Sequence, residues 1–442
     1  MRNVFAALIA FFAVHASAQD KWTLKTCIEY GLKYNRNNTI YANHKRAADA
    51  RAKEALADYL PKIKLTTTLD DNLKVQESVI PAGIFSDQEI RVAFTQKFQS
   101  NGTAQLDQVL YDQSLLTGLK ATKYYKQQAD LDIRQSQEAI IYNISTAYFQ
   151  ISVYREQLAL LQSNKETLSR QMEIYQLQVS KGVTLQKDLD KVTVNYNNTI
   201  SQIRVAETNL QLAENELKYE MGYPVDDFLA VDTASTDAIP RILEWESATD
   251  FNVSSKTEFQ LSEVKVKLLE IEESRIRAGA LPKLTAYARY GAVGFGDSVN
   301  EVYSDLSTFS AIGLKLNIPI FDFYRRSAQY SQAEIDRANA QEQLKLDKER
   351  YKVDFQNANA QVVKAMANVE NDKRNVALAE SVLRITDLQF QKGVTDLTDW
   401  LTTQNSLKEA QNSYLNSLFN LYLARIDREK AAGTLKSFYN AL

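Results

Sequence analysis

Two long tracts of the chain carry apolar residues at steps of seven. Ile144, Ile151, Leu158, Met172 and Val179 form one row, interrupted by Lys165, and Ala147, Tyr154, Leu161, Leu168 and Tyr175 form its companion. Beyond Gly182 the spacing resumes with Leu189, Tyr196, Ile203, Leu210 and Leu217. The second tract repeats the plan with Val362, Val369, Val376, Leu383 and Phe390, then Trp400, Leu407, Tyr414 and Leu421 beside the small residues Ala410, Ser417, Ala424 and Ala431. A sustained seven-residue repeat keeps an apolar seam on a partner only when helices supercoil. Neither 119–221 nor 325–442 contains proline, and their only glycines are Gly182, Gly393 and Gly433. Long antiparallel coiled-coil helices are therefore predicted, with a tight turn at each Lys-Gly-Val-Thr tetrad, Lys181 to Thr184 and Lys392 to Thr395, where glycine admits the positive φ that ends a helix. The tyrosines and Trp400 of the heptad rows read as packing residues.

Elsewhere the period changes to two. Ile63, Leu65, Thr67 and Leu69 alternate with Lys62, Lys64, Thr66 and Asp70, and Ile312, Leu314, Leu316, Ile318 and Ile320 alternate in the second half. These are strands with one wet face. A further strand is expected within 90–110, after a loop around Pro81 and Gly83, and another over 284–295, giving four, each long enough for a tilted membrane strand. Helices over 38–59 and 256–278 precede the strands. Pro61 and Pro282 serve as helix-to-strand stops, because the residue before a proline is pushed out of the helical region.

The halves are copies of one plan. Ala57-Asp58-Tyr59-Leu60-Pro61-Lys62-Ile63 is echoed by Ala278-Gly279-Ala280-Leu281-Pro282-Lys283-Leu284, Leu110-Tyr111-Asp112 by Ile320-Phe321-Asp322, and the Lys-Gly-Val-Thr tetrads follow in order, at an offset of about 210 residues. The expected division is a signal peptide over 1–18, a first repeat over 19–221, a connection over 222–250 with Pro224 and Pro240, a second repeat over 251–435 and a tail over 436–442. The tracts 114–180 and 325–391 each hold about 67 residues, or about 100 Å of helix, with Gly118 a tolerated weak point in the first. Their return helices, 187–220 and 396–432, cover about half that length. The helices before the strands supply the rest if stacked end to end, making two continuous and two composite rods per chain.

Residues 1–18 have the form of an export signal: Arg2, an apolar run over 4–14, and the small-x-small site Ala16-Ser17-Ala18. Cys27 lies past that site and reads as a small apolar residue on a helix face, so a lipoprotein anchor is not expected. Composition narrows the function. Among 442 residues stand 52 Lys+Arg against 55 Asp+Glu, a formal charge of −3, which argues against nucleic-acid binding. One cysteine and two histidines, of which only His44 lies past the signal, leave no disulfide framework or His/Cys metal cage. Walker loops, dinucleotide turns and zinc-protease motifs are missing, so no catalytic residue, cofactor or metal is assigned. Acidic neighbours such as Glu272 and Glu273 read as solvated helix charge. Tyr287, Tyr290 and Phe94 are candidates for membrane interfaces.

Four strands cannot close a membrane barrel, because an open sheet leaves edges that hydrocarbon cannot solvate. Two chains would give eight strands and a filled interior; three would give twelve and room for a lumen.

With its signal peptide, duplicated halves, Leu-Pro stops, the Pro-Ile-Phe-Asp element at 319–322 and the Gly-x-x-x-Leu-x-Asp-x-Leu run at 393–401 leading to Ala432-Gly433-Thr434-Leu435, the chain resembles TolC-type outer membrane efflux proteins. The resemblance covers essentially the whole mature chain. It implies a mostly α fold with a small β part: a trimer with a 12-stranded β-barrel in the outer membrane of a Gram-negative bacterium and an α-barrel in the periplasm. It further implies a passive channel for tripartite efflux or type I secretion, working with a periplasmic adaptor and an inner-membrane RND or ABC pump. The competing reading is an exported, non-conducting coiled-coil spacer or adaptor that bridges envelope layers.

Carried over residue by residue, the resemblance places the turns at the periplasmic tip. Gly182, Val183 and Thr184, with Gly393, Val394 and Thr395, fall at adaptor-docking turns. Asp399 matches an acidic residue that rings the closed aperture, where symmetry-related carboxylates would repel anions and attract cations. Asp188 matches an acidic residue that in some relatives bonds a tyrosine and an arginine; Phe390 and Thr395 stand at those two positions, so the same lock cannot form. Thr402 replaces a second aspartate near the aperture. Asp188 and Asp399 also suit helix N-termini on dipole grounds alone.

Overall fold

The computed structural model describes residues 22–83, 87–93, 95–232 and 251–442. The expected signal at 1–18, Phe94, Pro240 and most of the 222–250 connection lie outside these residues. In chain order the helices are α1 (Leu24–Tyr34), α2 (Arg36–Ala57), α3 (Gln113–Leu119), α4 (Ala121–Ser180), α5 (Gln186–Met221), α6 (Thr257–Ala278), α7 (Arg325–Gln391), α8 (Leu397–Ala432) and α9 (Leu435–Ala441). The strands are β1 (Lys62–Asp71), β2 (Glu77–Ile80), β3 (Ile90–Ala93), β4 (Phe98–Tyr111), β5 (Lys283–Gly296) and β6 (Leu306–Asn317). They fall in two compact units, one over 1–43, 130–261 and 344–442, the other over 44–129 and 262–343.

The first unit is helical. Antiparallel hairpins form where the heptad rows meet: Leu161 packs with Ile203 and Ala206 across α4 and α5, and Val362 and Ala365 with Leu421 and Ala424 across α7 and α8. Polar links share this register, with Arg155 on Glu214 at 2.9 Å and Arg428 donating to Asn359 at 2.9 Å. The largest core gathers Cys27 and Ile28 of α1, Ile140, Ile144 and Ile151 of α4, Leu217 and Met221 of α5, and Tyr422 and Ile426 of α8. A side chain at Gly31 would crowd this core, since a Cβ would sit 2.2 Å from Ile144 Cδ1 and force it to shift. Burial pushes the Cys27 thiol up to about 12, so it behaves as a small apolar side chain.

The composite rods meet at duplicated seams. Helix α5 ends at Gly222, φ 71°, against the backbone of Tyr34 and Asn35, and the Asn35 side chain donates to the Glu220 carbonyl at 2.6 Å. Helix α8 ends at Gly433, φ 73°, against Lys256, whose ammonium donates to the carbonyls of Lys430 at 3.1 Å and Ala431 at 3.3 Å. A neutral amide caps one rod and a cation the other, both satisfying carbonyls that a helix end leaves unpaired.

The second unit holds one antiparallel sheet in the order β1-β4-β5-β6, with β2 and β3 forming a separate hairpin. The register sets residues across the sheet on common faces. Ile63 pairs with Leu106, Leu106 with Ala288 and Ala288 with Ile312, while Lys64 pairs with Gln105, Gln105 with Arg289 and Arg289 with Ala311. One face is largely apolar. The other is polar and charged near the helices, at Lys62, Lys64, Gln105, Asp107, Arg289 and Lys315, and carries Val293, Phe295 and Phe309 toward the β5–β6 turn. Among the described residues, the outer edges of β1 and β6 have no partner strand. Between β5 and β6 the turn Glu301–Tyr303 seats the fully buried Val302 against Gly294 and Gly296.

Several expectations need correction. The tract 114–180 is not one helix: it breaks at Lys120, after Gly118, the weakest helix former in its reach, whereas Arg325–Gln391 is continuous over 67 residues. The strand expected within 90–110 is two, β3 in the hairpin and β4 in the sheet. Ile318 and Ile320 lie beyond β6, which stops at Asn317 because Pro319 has no N–H for the ladder. Tyr290 belongs to the apolar face, but Tyr287 belongs to the polar one and lies across Gly313. The presumed tail is largely helix α9, whose Leu435, Phe438, Tyr439 and Leu442 pack on the main core. Glu273 is not solvated: it is buried, with Arg337 at 2.9 Å and the Tyr330 hydroxyl donating at 2.9 Å, because α6 lies against the start of α7. The Leu-Pro stops act as read, α2 ending at Ala57 and α6 at Ala278, with strands from Lys62 and Lys283 directly after Pro61 and Pro282.

Candidate functional site

Both Lys-Gly-Val-Thr turns are built alike. At the first, the Gly182 N–H donates to the Val179 carbonyl at 3.0 Å and the Val183 N–H to that of Gln178 at 2.9 Å; at the second, Gly393 donates to Phe390 at 3.0 Å and Val394 to Gln389 at 2.9 Å. These bonds satisfy the last carbonyls of α4 and α7 and need a left-handed residue, supplied by Gly182 at φ 67° and Gly393 at φ 71°. Nothing lies within 4 Å of a Cβ added at either glycine, so the requirement is conformational and not steric. Val183 and Val394 are 74% and 72% exposed, leaving each turn with an apolar tip.

The turns differ in how the next helix begins. Asp396 caps α8, accepting from the Asp399 N–H at 2.8 Å, and Thr395 donates to the Asp399 carboxylate at 2.7 Å. The equivalent residue in the first half is Leu185, which offers no side-chain cap and is 61% exposed. Asp188 accepts from Thr184 at 3.5 Å and lies 3.6 Å from the Lys191 ammonium. Both acids sit in the first turn of their helices, where the macrodipole favours negative charge.

A small core ties the two hairpins together just inside the turns. Tyr175 of α4 stacks on Phe390 of α7 with ring centroids 6.4 Å apart, and Phe390 stacks on Trp400 of α8 at 5.8 Å. Trp400 is 1% exposed and its indole N–H donates to Asp387 at 3.1 Å. Leu168, Val192, Leu397 and Leu401 complete the cluster. Burial raises the Tyr175 phenol above its ordinary value, and the carboxylates of Asp188 and Asp396 add to the shift. Lys191 then crosses from α5 to donate to the Thr398 hydroxyl of α8 at 3.0 Å. Beside this link lies a cleft of about 710 Å³ bounded by Asp188, Lys191, Phe390 and Thr395.

The structure thus brings Asp188, Asp399, Phe390, Thr395 and the two turns to one end of the helical unit, with Thr402 one turn along α8, its hydroxyl donating to the Thr398 carbonyl at 2.8 Å. Asp188 bonds neither Phe390 nor Thr395, whose partners are the aromatic column and Asp399. Pro61 and Pro282 are not at this site; they head the strands. Sequence reading missed Lys191, Thr398 and Asp387 as linking residues. Nothing in the spacing marks them, because each partner lies on another helix. Among the described residues no group of three or more His, Cys, Asp or Glu side chains could hold a metal ion. No described helix is long and apolar enough to cross a membrane.

Comparison with known proteins extends this picture. Residues 41–222 and 267–434 match the family model described as outer membrane efflux protein. The chain is 23% identical over 353 residues to the outer membrane protein TolC of Escherichia coli (strain K12), covering 76% of this chain and 70% of that protein. The solved CmeC outer membrane channel of Campylobacter jejuni superposes with a TM-score of 0.75 at 15% identity, over 93% of this chain and 85% of that one. The outer membrane protein VceC of Vibrio cholerae does so with a TM-score of 0.72 at 16% identity, over 93% and 96%.

Proposed function

Because this chain belongs to the outer membrane efflux protein family, we propose that it works as a homotrimeric, passive channel-tunnel of a tripartite efflux or type I secretion system. The observation that carries the reading is the two-faced, open-edged sheet. Ile63, Leu65, Ile312 and Leu314 expose an apolar face to the outside, where only lipid would be a favourable neighbour, and the opposite face carries the sheet's lysines, Arg289 and amides. Free edges on β1 and β6 need partners in hydrocarbon, and a second and third copy supply them, edge to edge, to close twelve strands around a lumen. A coiled-coil spacer would have no use for such a sheet.

The turns are read as the periplasmic tip. Gly182, Val183, Thr184, Gly393, Val394 and Thr395 offer paired apolar points to a periplasmic adaptor, which links the channel to an RND or ABC pump in the inner membrane. Asp399, repeated three times, lines the aperture with Asp188, Thr395 and Thr402 near it, and Phe390, stacked between Tyr175 and Trp400, joins the hairpins at the aperture. Energy comes from the pump, and the channel performs no catalysis. The test is direct. Purified protein should run as a trimer, fractionate with outer-membrane barrels and conduct in planar bilayers once the tip is opened; a water-soluble monomer without conductance would refute it.

A further inference from the structure

The polar face of the sheet is not evenly polar. In its half nearest the helices it carries Lys62 and Lys64 on β1, Lys283 and Arg289 on β5 and Lys315 on β6. Only Asp107 opposes them on the same face, and the flanking Asp58 and Asp112 pair with Lys62 at 2.7 Å and Lys283 at 2.9 Å. Lys64, Arg289 and Lys315 therefore remain exposed in excess. Lys64, Gln105 and Arg289 share one register line, so the two cations stand about 10 Å apart across β4. The remaining face charge, Asp70, lies at the far end of β1, about 20 Å from Lys64 along the strand.

The wall around these cations is shaped to leave them free. The Tyr287 side chain lies over Gly313 and that of Phe309 over Gly291, positions where an added Cβ would come 2.6 Å from the phenol oxygen and from the ring. The Arg289 guanidinium lies 6.0 Å from the Phe309 ring centroid, a contact that leaves its charge unneutralised.

We infer that the barrel section of this channel is an anion-favouring passage, with Lys64, Arg289 and Lys315 setting the preference for carboxylate, sulfonate or phosphate solutes. The inference rests on the trimeric channel reading, which turns the polar face inward and triples each charge. A lumen lined by one sign of charge between low-dielectric walls concentrates the opposite ion.

The experiment is sided block of single channels in planar bilayers at low salt, with the tip opened by Lys191→Ala and inositol hexakisphosphate as the probe. Added on the barrel side it should block at concentrations at least tenfold lower than from the tip side, and the reversal potential in a KCl gradient should move toward potassium when Lys64→Gln and Arg289→Gln are combined. The double variant should weaken barrel-side block at least tenfold, and Lys64→Glu, which reverses the charge at an exposed site, should do so alone. A conducting trimer whose block is unsided, or unchanged in these variants, overturns this inference and leaves the channel reading intact. A folded trimer that never conducts overturns the channel reading and this inference with it.

Discussion

The Lys191 ammonium donates to the Thr398 hydroxyl at 3.0 Å, so that the first helix after one turn is tied to the first helix after the other. This is a polar link between the two hairpins at the proposed tip, in a chain whose Phe390 and Thr395 cannot supply a tyrosine-arginine pair. A charge-assisted hydrogen bond at a half-exposed site contributes about 1 kcal/mol, or a factor of about five in a closed-to-open ratio for each copy. Lys191→Met should therefore raise the open probability of the channel several-fold in bilayer recordings, and Thr398→Val should do the same to a smaller degree because Lys191 keeps Asp188 as a neighbour.

Trp400 joins the two hairpins by packing, and its contribution is larger. Trp400→Ala removes a fully buried indole from a small cluster and should cost about 3–5 kcal/mol of local stability. Trp400→Phe keeps a ring against Phe390 but loses the bond to Asp387 and part of the indole's packing, together about 2 kcal/mol. Limited proteolysis at the two turns separates them: the alanine variant should be cut much faster than wild type, the phenylalanine variant at a rate between the two. Equal rates in all three proteins would remove Trp400 from the tip's support.

How much of this was legible in the sequence follows from which forces are periodic. Trp400, Leu161 and Val362 fall on heptad rows, and all three are buried where helices meet, so the hairpins could be read from spacing. The strands could be read from alternation and the helix stops from Pro61 and Pro282. Lys191 and Thr398 carry no period: a lysine three residues after an aspartate reads as an ordinary surface pair, and its partner lies more than two hundred residues away. The same holds for Glu273, whose burial depends on Arg337 and Tyr330 of another helix. Helix α9 is only two turns long, too short for a period to declare itself.

Glu273 supplies the third prediction. Its carboxylate meets Arg337 at 2.9 Å and Arg277 at 3.4 Å and accepts from Tyr330, tying α6 to the start of α7 beneath the sheet. Glu273→Gln leaves the half-buried Arg337 without its counter-charge and should cost about 3 kcal/mol. The trimer band on semi-denaturing gels should be lost at a lower temperature than in wild type. Glu272→Gln, which removes a more exposed partner of Arg275, should shift it by much less.

The two turn glycines make a fourth. Gly393→Ala forces a Cβ into a left-handed conformation with open space around it, so the cost is about 1 kcal/mol and the fold survives. The turn will then relax toward negative φ and re-aim Val394. Crosslinking to the periplasmic adaptor from a probe at Thr395 should fall, while the trimer still inserts in the outer membrane. Unchanged crosslinking in the Gly182→Ala, Gly393→Ala double variant would remove the turns from the docking surface.

Acidity supplies the last prediction, through Glu220 at the seam where α5 ends. Burial raises its carboxyl above the usual 4.5 and the like charge of Glu216 adds to that, while a hydrogen bond from Asn143 opposes it. The cavity beside it, about 480 Å³, is bounded by two further acids, Glu138 and Glu258, and one cation, Lys430. A raised folded-state value means the charged form is disfavoured in the native protein. The group's contribution to stability is therefore complete below its unfolded value near 4.5 and is lost as pH rises through the folded value. Glu220→Gln keeps the hydrogen bond from Asn143 and removes the charge. It should leave thermal stability unchanged at pH 4 and raise it at pH 7.5, by about one or two degrees given that the site is only half enclosed. A melting temperature that falls at pH 7.5 would mean that the carboxylate is held by a partner, most directly the Lys430 ammonium, and that the seam depends on the charge it was expected to shed.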